Sequence, residues 1–179
     1  MHRPIFYQYR NIEKDIKSRK ASARRACNKL TKMWKSNLPR RLKERLFLAT
    51  VESVLLYSCE AWTLTPKLEK QINGCYTRLL RTALNIHWSQ HMTNKVLYGS
   101  LPKLSTKIRQ RRMRFAGHCY RSKDEPVSNI VLWTPKHGRR KPGRPAITYT
   151  DILKKDTGLE STDFKSAMGD RKALGTIVI

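Results

Sequence analysis

The chain has 179 residues, of which 39% are hydrophobic, and a formal net charge of +25 from 38 Lys and Arg against 13 Asp and Glu. This length suits one modest core with appendages. The positive charges repel one another unless a polyanion neutralises them, so nucleic acid is the leading candidate partner. The weaker hypothesis is that the charge serves solubility alone. Glu52 and Glu60 interrupt the most apolar run, 46–64, which excludes a transmembrane helix there and leaves no expected membrane partner.

Three helices are predicted in the first half of the chain. In the first, 12–36, the apolar residues fall in one narrow stripe at 100° per residue, and the cations point away from it. Pro39 suits the first turn of the second helix, 39–63, whose apolar residues cover nearly every direction, as in a buried central helix. The third, from the expected cap Thr65 to 86, again has one apolar stripe, so the three can share a core.

The second half contains a loop at 87–91, a short predicted helix at 93–98, a turn at 99–102 and a long basic helix, which Ser105 is expected to cap and which ends near Arg121. The apolar stripe of the long helix consists of Leu104, Ile108, Phe115 and Cys119. Its cations are Lys107, Arg111, Arg114 and Arg121 on one flank of the stripe, and Arg109 and Arg112 on the other.

Residues 122–146 are rich in Pro and Gly and are expected to be extended, with a weak helix at 147–156 after them. Neither a regular alternation of apolar and polar residues nor an internal repeat is present, so the predicted fold class is all-α.

The basic residues form two blocks around a more apolar centre. Residues 1–45 contain 15 Lys and Arg and residues 101–145 contain 13, whereas 46–100 contain five. The predicted organisation is a divergent segment at 1–11, a helical bundle at 12–88, a basic nucleic-acid-binding segment at 89–146 and a neutral tail at 147–179.

The motif GRRKPGRP at 138–145 carries four cations on a backbone that Gly and Pro keep thin and extended. Arg139, Arg140, Lys141 and Arg144 could therefore follow a groove or a phosphate path. The motif partly matches an AT-hook, in which Gly-Arg-Pro lies in the minor groove, although Pro142 replaces the usual Arg. A localisation signal or a linker is the alternative. Trp88, Trp133 and Tyr149 are possible stacking surfaces for bases, or ordinary packing.

Catalytic and metal-binding patterns are weak. Asp124 and Glu125 are the one adjacent acidic pair, and a solvated turn explains them better than a catalytic metal. A zinc site could be assembled from His87, His91 and the pair His118-Cys119, but without closely spaced ligand pairs ordinary packing is the better explanation. We expect no catalytic residues, no metal and no cofactor in this chain.

The sequence also bears on where the protein works. The N-terminal residues lack the apolar core of a secretory signal, which places the chain in the nucleus or the cytoplasm. In such a compartment the separate cysteines are expected to be reduced thiols. They are Cys27, Cys59, Cys75 and Cys119.

Three long phrases together resemble the C-terminal part of LINE-type (non-LTR) retrotransposon endonuclease-reverse transcriptases. They are VESVLLYSCEAWTLTPKLEKQINGCYTRLLRTALNIHW at 51–88, VLYGSLPKLSTKIRQRRMRFAGHCYR at 96–121 and HGRRKPGRPAITYTDILKKD at 137–156. The resemblance implies that 12–88 form a thumb-like bundle, and that 89–172 help to hold template RNA and target DNA. The sequence departs from that family in containing neither the palm, with its Asp-Asp metal site, nor the endonuclease, and in the residues at its two ends. We therefore expect a truncated or decayed element copy with foreign ends.

The leading hypothesis is therefore a catalytically incomplete fragment of a retrotransposon reverse transcriptase that binds RNA or DNA backbone, such as element RNA in a ribonucleoprotein, with little sequence readout. Two alternatives stay open. The chain could be part of an active endonuclease-reverse transcriptase polyprotein, or it could be a non-functional helical remnant.

Overall fold

The computed structural model describes residues 12–122, 149–158 and 166–171. Within these ranges the chain is helical and contains no β-strand, which confirms the all-α prediction. It forms two compact units that divide between Ser105 and Thr106. The segment 1–11 and nearly all of the predicted extended segment 122–146 lie outside the described residues.

The first predicted helix is two helices, α1 (Ile12–Lys29) and α2 (Thr31–Lys35). The Cys27 carbonyl accepts from the Leu30 N–H at 3.2 Å and from the Trp34 indole Nε1–H at 2.8 Å. In a continuous α-helix that carbonyl would accept from the N–H four residues later. The indole N–H of Trp34 replaces that backbone N–H. A side-chain hydrogen bond seven residues along the chain therefore accounts for a break that the apolar periodicity does not reveal.

The second predicted helix is shorter than expected and is not uniformly α. It consists of α3 (Arg40–Phe47), a π-helical turn (Leu48–Glu52) and α4 (Ser53–Leu55). At the turn, the Thr50 hydroxyl donates to the Leu46 carbonyl at 2.6 Å and the Ser53 hydroxyl donates to the Ala49 carbonyl at 2.7 Å. Hydroxyls that bond to nearby carbonyls compete with the regular helical ladder, which favours the wider turn.

The prediction that this helix reaches residue 63 is wrong. The chain leaves the helix after Leu55, Ser58 has a left-handed backbone (φ 61°), and a 3₁₀ turn follows at Cys59–Ala61. Trp62 then points into the core and its indole Nε1–H donates to Asp15 Oδ2 of α1 at 2.6 Å. The free energy gained by burying this large side chain with its polar atom paired offsets the cost of ending the helix early.

Helix α5 (Pro66–Ala83) begins where predicted but ends at Ala83, before the predicted residue 86. The Thr65 hydroxyl accepts from the Leu68 N–H at 3.4 Å, and Pro66 occupies the first helical position, where its missing N–H costs nothing. The buried residues of α5 are the predicted stripe together with two further side chains. They are Leu68, Ile72, Cys75, Tyr76, Leu79, Leu80 and Ala83.

A 3₁₀ turn (Trp88–Gln90) and α6 (Asn94–Tyr98), capped by Thr93, follow α5. Gly99 ends α6 with φ 53°, a conformation that a side chain would strain. From α3, the Arg40 guanidinium donates to the Leu97 carbonyl at 2.7 Å and so fixes the end of α6 within the first unit. The short helix and the turn predicted for 93–102 are therefore both present.

Helix α7 (Leu104–Arg121) belongs, apart from its first two residues, to the second unit. Ser105 does not cap it as predicted, because the helix has already begun at Leu104. The Asn73 side chain of α5 supplies the cap instead: Asn73 Oδ1 accepts from the Ser105 N–H at 3.1 Å, and Asn73 Nδ2 donates to Ser105 Oγ at 3.3 Å.

The second unit contains most of α7, α8 (Tyr149–Thr157) and a helical turn at 166–169. Its core consists of Met113, Ala116, Leu153 and Met168, with Tyr120 and Tyr149 packed against them. The weak helix predicted for 147–156 corresponds to α8. No helix among the described residues is long and apolar enough to cross a lipid bilayer.

Candidate nucleic-acid interface

The candidate interface is one side of α7 in the second unit. The opposite side of this helix is anchored by its apolar residues, since Met113 and Ala116 are almost completely buried against α8 and the turn at 166–169. An anchored helix holds the side chains of its other face at fixed spacing. The geometry of α7 therefore decides which of the predicted cations can act together.

Five side chains that can carry positive charge follow one another along this side at alternating steps of four and three residues. Steps of this size keep side chains on the same face of a helix. We call them the α7 ridge, and they are Lys107, Arg111, Arg114, His118 and Arg121. Lys107 and Arg111 are half-buried, whereas Arg114, His118 and Arg121 are exposed. The ridge spans four helical turns, about 21 Å at the standard rise per residue.

Arg121, at the end of the ridge, is held by the second unit itself. One of its guanidinium nitrogens donates to the Met168 carbonyl at 3.0 Å. This bond orients the side chain before any ligand arrives and leaves further N–H donors of the fork for an anion, since a guanidinium has five.

Arg109 and Arg112, predicted on the other flank, both face a carboxylate of α8. Arg112 is 2% exposed and forms a buried ion pair with Asp156, and Arg109 Nε lies 3.7 Å from Asp156 Oδ1. Arg112 therefore serves the interior of the unit, and the exposed Arg109 is partly neutralised. The sequence predicts both as nucleic-acid-binding residues, because their carboxylate partner Asp156 is 44 residues away from Arg112 and no local pattern indicates it.

His118, which the sequence suggests only as a zinc ligand, completes the ridge. A second signal in the sequence is that no Asp or Glu occurs between Lys70 and Lys123, a stretch that contains 12 Lys and Arg. Any carboxylate that pairs with these cations must come from elsewhere in the chain, as Asp156 does for Arg112, and the stretch itself contributes only positive charge.

The other predicted binding residues are distributed as follows. Arg139, Arg140, Lys141 and Arg144, together with Trp133, lie outside the described residues. Tyr149 is half-buried and packs on the core of the second unit, so its ring is used in packing. Trp88, in contrast, is 77% exposed.

The predicted zinc alternative finds no support in the part of the chain that the structure describes. Within that part, no three His, Cys, Asp or Glu side chains come together in an arrangement that could hold a metal ion. Asp124 and Glu125 lie outside the described residues. Cys119 is buried, as expected for a residue on an apolar stripe.

All four cysteines are buried and unbridged. Burial raises the pKa of the Cys27 thiol, although its hydrogen bond with Trp34 opposes this effect. Burial likewise raises the pKa of Cys75, and the positive charges of Lys20, Arg24 and Arg78 oppose it. A buried thiol that resists deprotonation is a poor nucleophile, so neither residue suits covalent catalysis.

No protein-family profile and no solved structure matches the sequence. An uncharacterized transposon-derived protein of Caenorhabditis elegans is 24% identical over 162 residues, which amount to 87% of this chain and 58% of that protein. The chain thus spans a little more than half the length of this relative. The similarity fits a transposon origin.

Proposed function

We propose that the chain is a nucleic-acid-binding part of a LINE-type retrotransposon reverse transcriptase and that it binds the phosphate backbone through the α7 ridge. The observation that carries the proposal is the ridge itself, Lys107 to Arg121, in a stretch free of carboxylates. Cations at this spacing can contact successive phosphates and release condensed counterions, which favours binding without base recognition.

The similarity to a transposon-derived protein supports the origin, and the three phrases at 51–156 support the finer assignment to a LINE-type element. Under this proposal, the partner is element RNA or target DNA, and polymerase and endonuclease chemistry belong to other parts of the parent protein. Under the same proposal, further phosphate contacts would come from Arg139, Arg140, Lys141 and Arg144.

The proposal is tested by measuring the affinity of the full chain for a 20-nucleotide RNA and a 20-base-pair DNA between 50 and 300 mM salt. The logarithm of the affinity should fall linearly with the logarithm of the salt concentration. In the double variant Arg111→Gln/Arg114→Gln, affinity should fall for both probes and the magnitude of the slope should decrease by about one for each cation removed.

Lys155→Gln/Arg171→Gln is the matched control. It removes the same two charges from exposed positions in the neutral C-terminal part of the sequence. This control should keep nearly the wild-type slope. A wild-type affinity that does not depend on salt, or an equal change of slope in the two double variants, would refute binding through the ridge.

A further inference from the structure

Trp88 is the most exposed large hydrophobic side chain among the described residues, at 77%. It begins the 3₁₀ turn Trp88–Gln90, which buries none of its own side chains. An indole is a large apolar surface, and leaving it in water costs free energy that a partner's flat surface would recover. An exposed indole at this position is therefore suited to contact a partner.

The turn that carries Trp88 is fixed by its own hydrogen bonds. The Gln90 N–H donates to the His87 carbonyl at 3.1 Å and the His91 N–H donates to the Trp88 carbonyl at 3.2 Å. The His87 ring Nδ1 lies 2.9 Å from Ser89 Oγ. The indole thus projects from an ordered turn.

Arg81 at the end of α5 ties down both ends of this loop. Its carbonyl accepts from the Ile86 N–H at 2.9 Å, before the turn. After the turn, its guanidinium donates to the Met92 carbonyl at 2.7 Å and to Asn94 Oδ1 at 3.0 Å. Because the loop is already ordered, little conformational entropy is lost when a partner packs on Trp88.

Among the described residues of the first unit, Tyr57 is a second highly exposed aromatic residue, and its ring is covered by a cation. It is 63% exposed, but the Arg19 guanidinium carbon lies 4.4 Å above the centroid of its ring. The His87 ring lies 5.4 Å from the Trp88 ring between centroids and is tilted by 44°. Because Trp88 remains 77% exposed beside it, the imidazole does not cover the indole.

The surroundings of Trp88 along the chain are polar. Ser89, Gln90 and His91 are exposed and offer hydrogen-bond donors and acceptors, and no carboxylate occurs between Lys70 and Lys123. A base of a nucleic acid strand combines a flat face, polar edges and an attached negative charge, which this setting matches. An apolar protein helix would need a wider apolar patch.

We propose that Trp88 stacks on an unpaired base of single-stranded RNA or DNA and so makes the first unit a base-stacking site. This inference rests on the proposed nucleic-acid binding and adds a preference for unpaired strands. Stacking of this kind tolerates any base, because every base has a flat face.

The test uses the full chain and three 20-nucleotide probes: oligodeoxythymidine, oligouridine and an abasic strand with the same number of phosphates. Trp88→Ala should weaken binding to the two base-containing probes by about tenfold. It should leave binding to the abasic strand unchanged. Trp88→Phe should restore most of the loss, and Tyr57→Ala, the matched control, should bind all three probes as the wild type does.

Indole fluorescence provides an independent readout in a Trp133→Phe background. Trp34 and Trp62 are 1% and 2% exposed, so any quenching on addition of a probe reports on Trp88. Oligodeoxythymidine should quench the emission and the abasic strand should not.

Equal affinities of wild type and Trp88→Ala for oligodeoxythymidine and oligouridine, with the abasic strand still bound, would overturn the stacking site and leave the ridge proposal intact. Loss of the abasic strand in Trp88→Ala would also overturn it. A wild type that binds none of the probes would overturn both proposals. If sedimentation shows that Trp88→Ala only dissociates an oligomer, the indole contacts a second copy of the chain, and the stacking site is wrong.

Discussion

The Tyr76 hydroxyl donates a 2.7 Å hydrogen bond to Glu52 Oε2 inside the core of the first unit. Tyr76 is fully buried and Glu52 is 7% exposed, and the bond joins α5 to the π-helical turn. The Tyr76 ring also packs edge-on against Phe47, with centroids 5.4 Å apart. A buried acid and a buried phenol thus pair across two helices that the sequence predicts separately.

Tyr76→Phe should destabilise the first unit while preserving its packing. The variant keeps the ring and removes a donor to a buried carboxylate, so we expect a loss of about 1 to 3 kcal/mol in the free energy of unfolding. Urea denaturation followed by circular dichroism measures it. Tyr57→Phe, on a residue that is 63% exposed, should change stability by less than about 0.5 kcal/mol. Equal effects of the two substitutions would argue against the buried pair.

The same pair predicts sensitivity to alkaline pH. Burial, followed by the charge of Glu52 and the hydrogen bond to it, raises the pKa of Tyr76 far above its ordinary value. The unfolded chain releases this proton near pH 10, whereas the folded chain retains it, so stability falls as pH rises beyond about 10, at up to about 1.4 kcal/mol per pH unit. The difference in stability between wild type and Tyr76→Phe should therefore be constant below pH 9 and narrow above pH 10. A constant difference up to pH 11.5 would contradict it.

Asp156→Asn should destabilise the second unit strongly. It removes the carboxylate that pairs with the Arg112 guanidinium, which is 2% exposed, and breaking a buried ion pair in this way typically costs about 3 to 5 kcal/mol. Hydrogen exchange of the α7 and α8 amides measures the effect in this unit alone.

Two further variants distinguish this ion pair from general charge effects. Asp151→Asn removes a carboxylate from an exposed position of α8 and should have little effect. Arg112→Met/Asp156→Leu replaces both charges by apolar groups and should recover most of the stability. If Asp151→Asn and Asp156→Asn increase exchange equally, the buried pair does not stabilise the unit.

Local signals in the sequence predict the helices and several of their ends. Thr65, Thr93 and Gly99 act at helix ends through side chains or backbone conformations that involve only residues up to four positions away. The apolar stripe of α5 is buried as its periodicity indicates. These features depend on near neighbours in the chain, so one sequence suffices to find them.

The features that the sequence does not reveal depend on specific side-chain partners, which lie between 7 and 47 residues away along the chain. The break after α1 depends on the indole of Trp34, the end of α4 on the burial of Trp62 against Asp15, and the burial of Arg112 on Asp156. Periodicity places Arg112 beside the apolar stripe but cannot show which carboxylate it meets. The Lys and Arg positions of the α7 ridge are predicted from the sequence, because they follow from helical spacing alone.

The side chain of Asn73 caps α7 in place of the local cap that the sequence indicates. Asn73→Ala removes both hydrogen bonds to Ser105 and should cost about 1 kcal/mol. The first-turn amides of α7 should then exchange faster. Asn73→Asp keeps the acceptor for the Ser105 N–H and places a negative charge at the helix N-terminus, so it should remain close to the wild type. Ser105→Ala removes only the hydroxyl and should have the smaller effect. Unchanged protection of these amides in Asn73→Ala would show that α7 begins without help from α5.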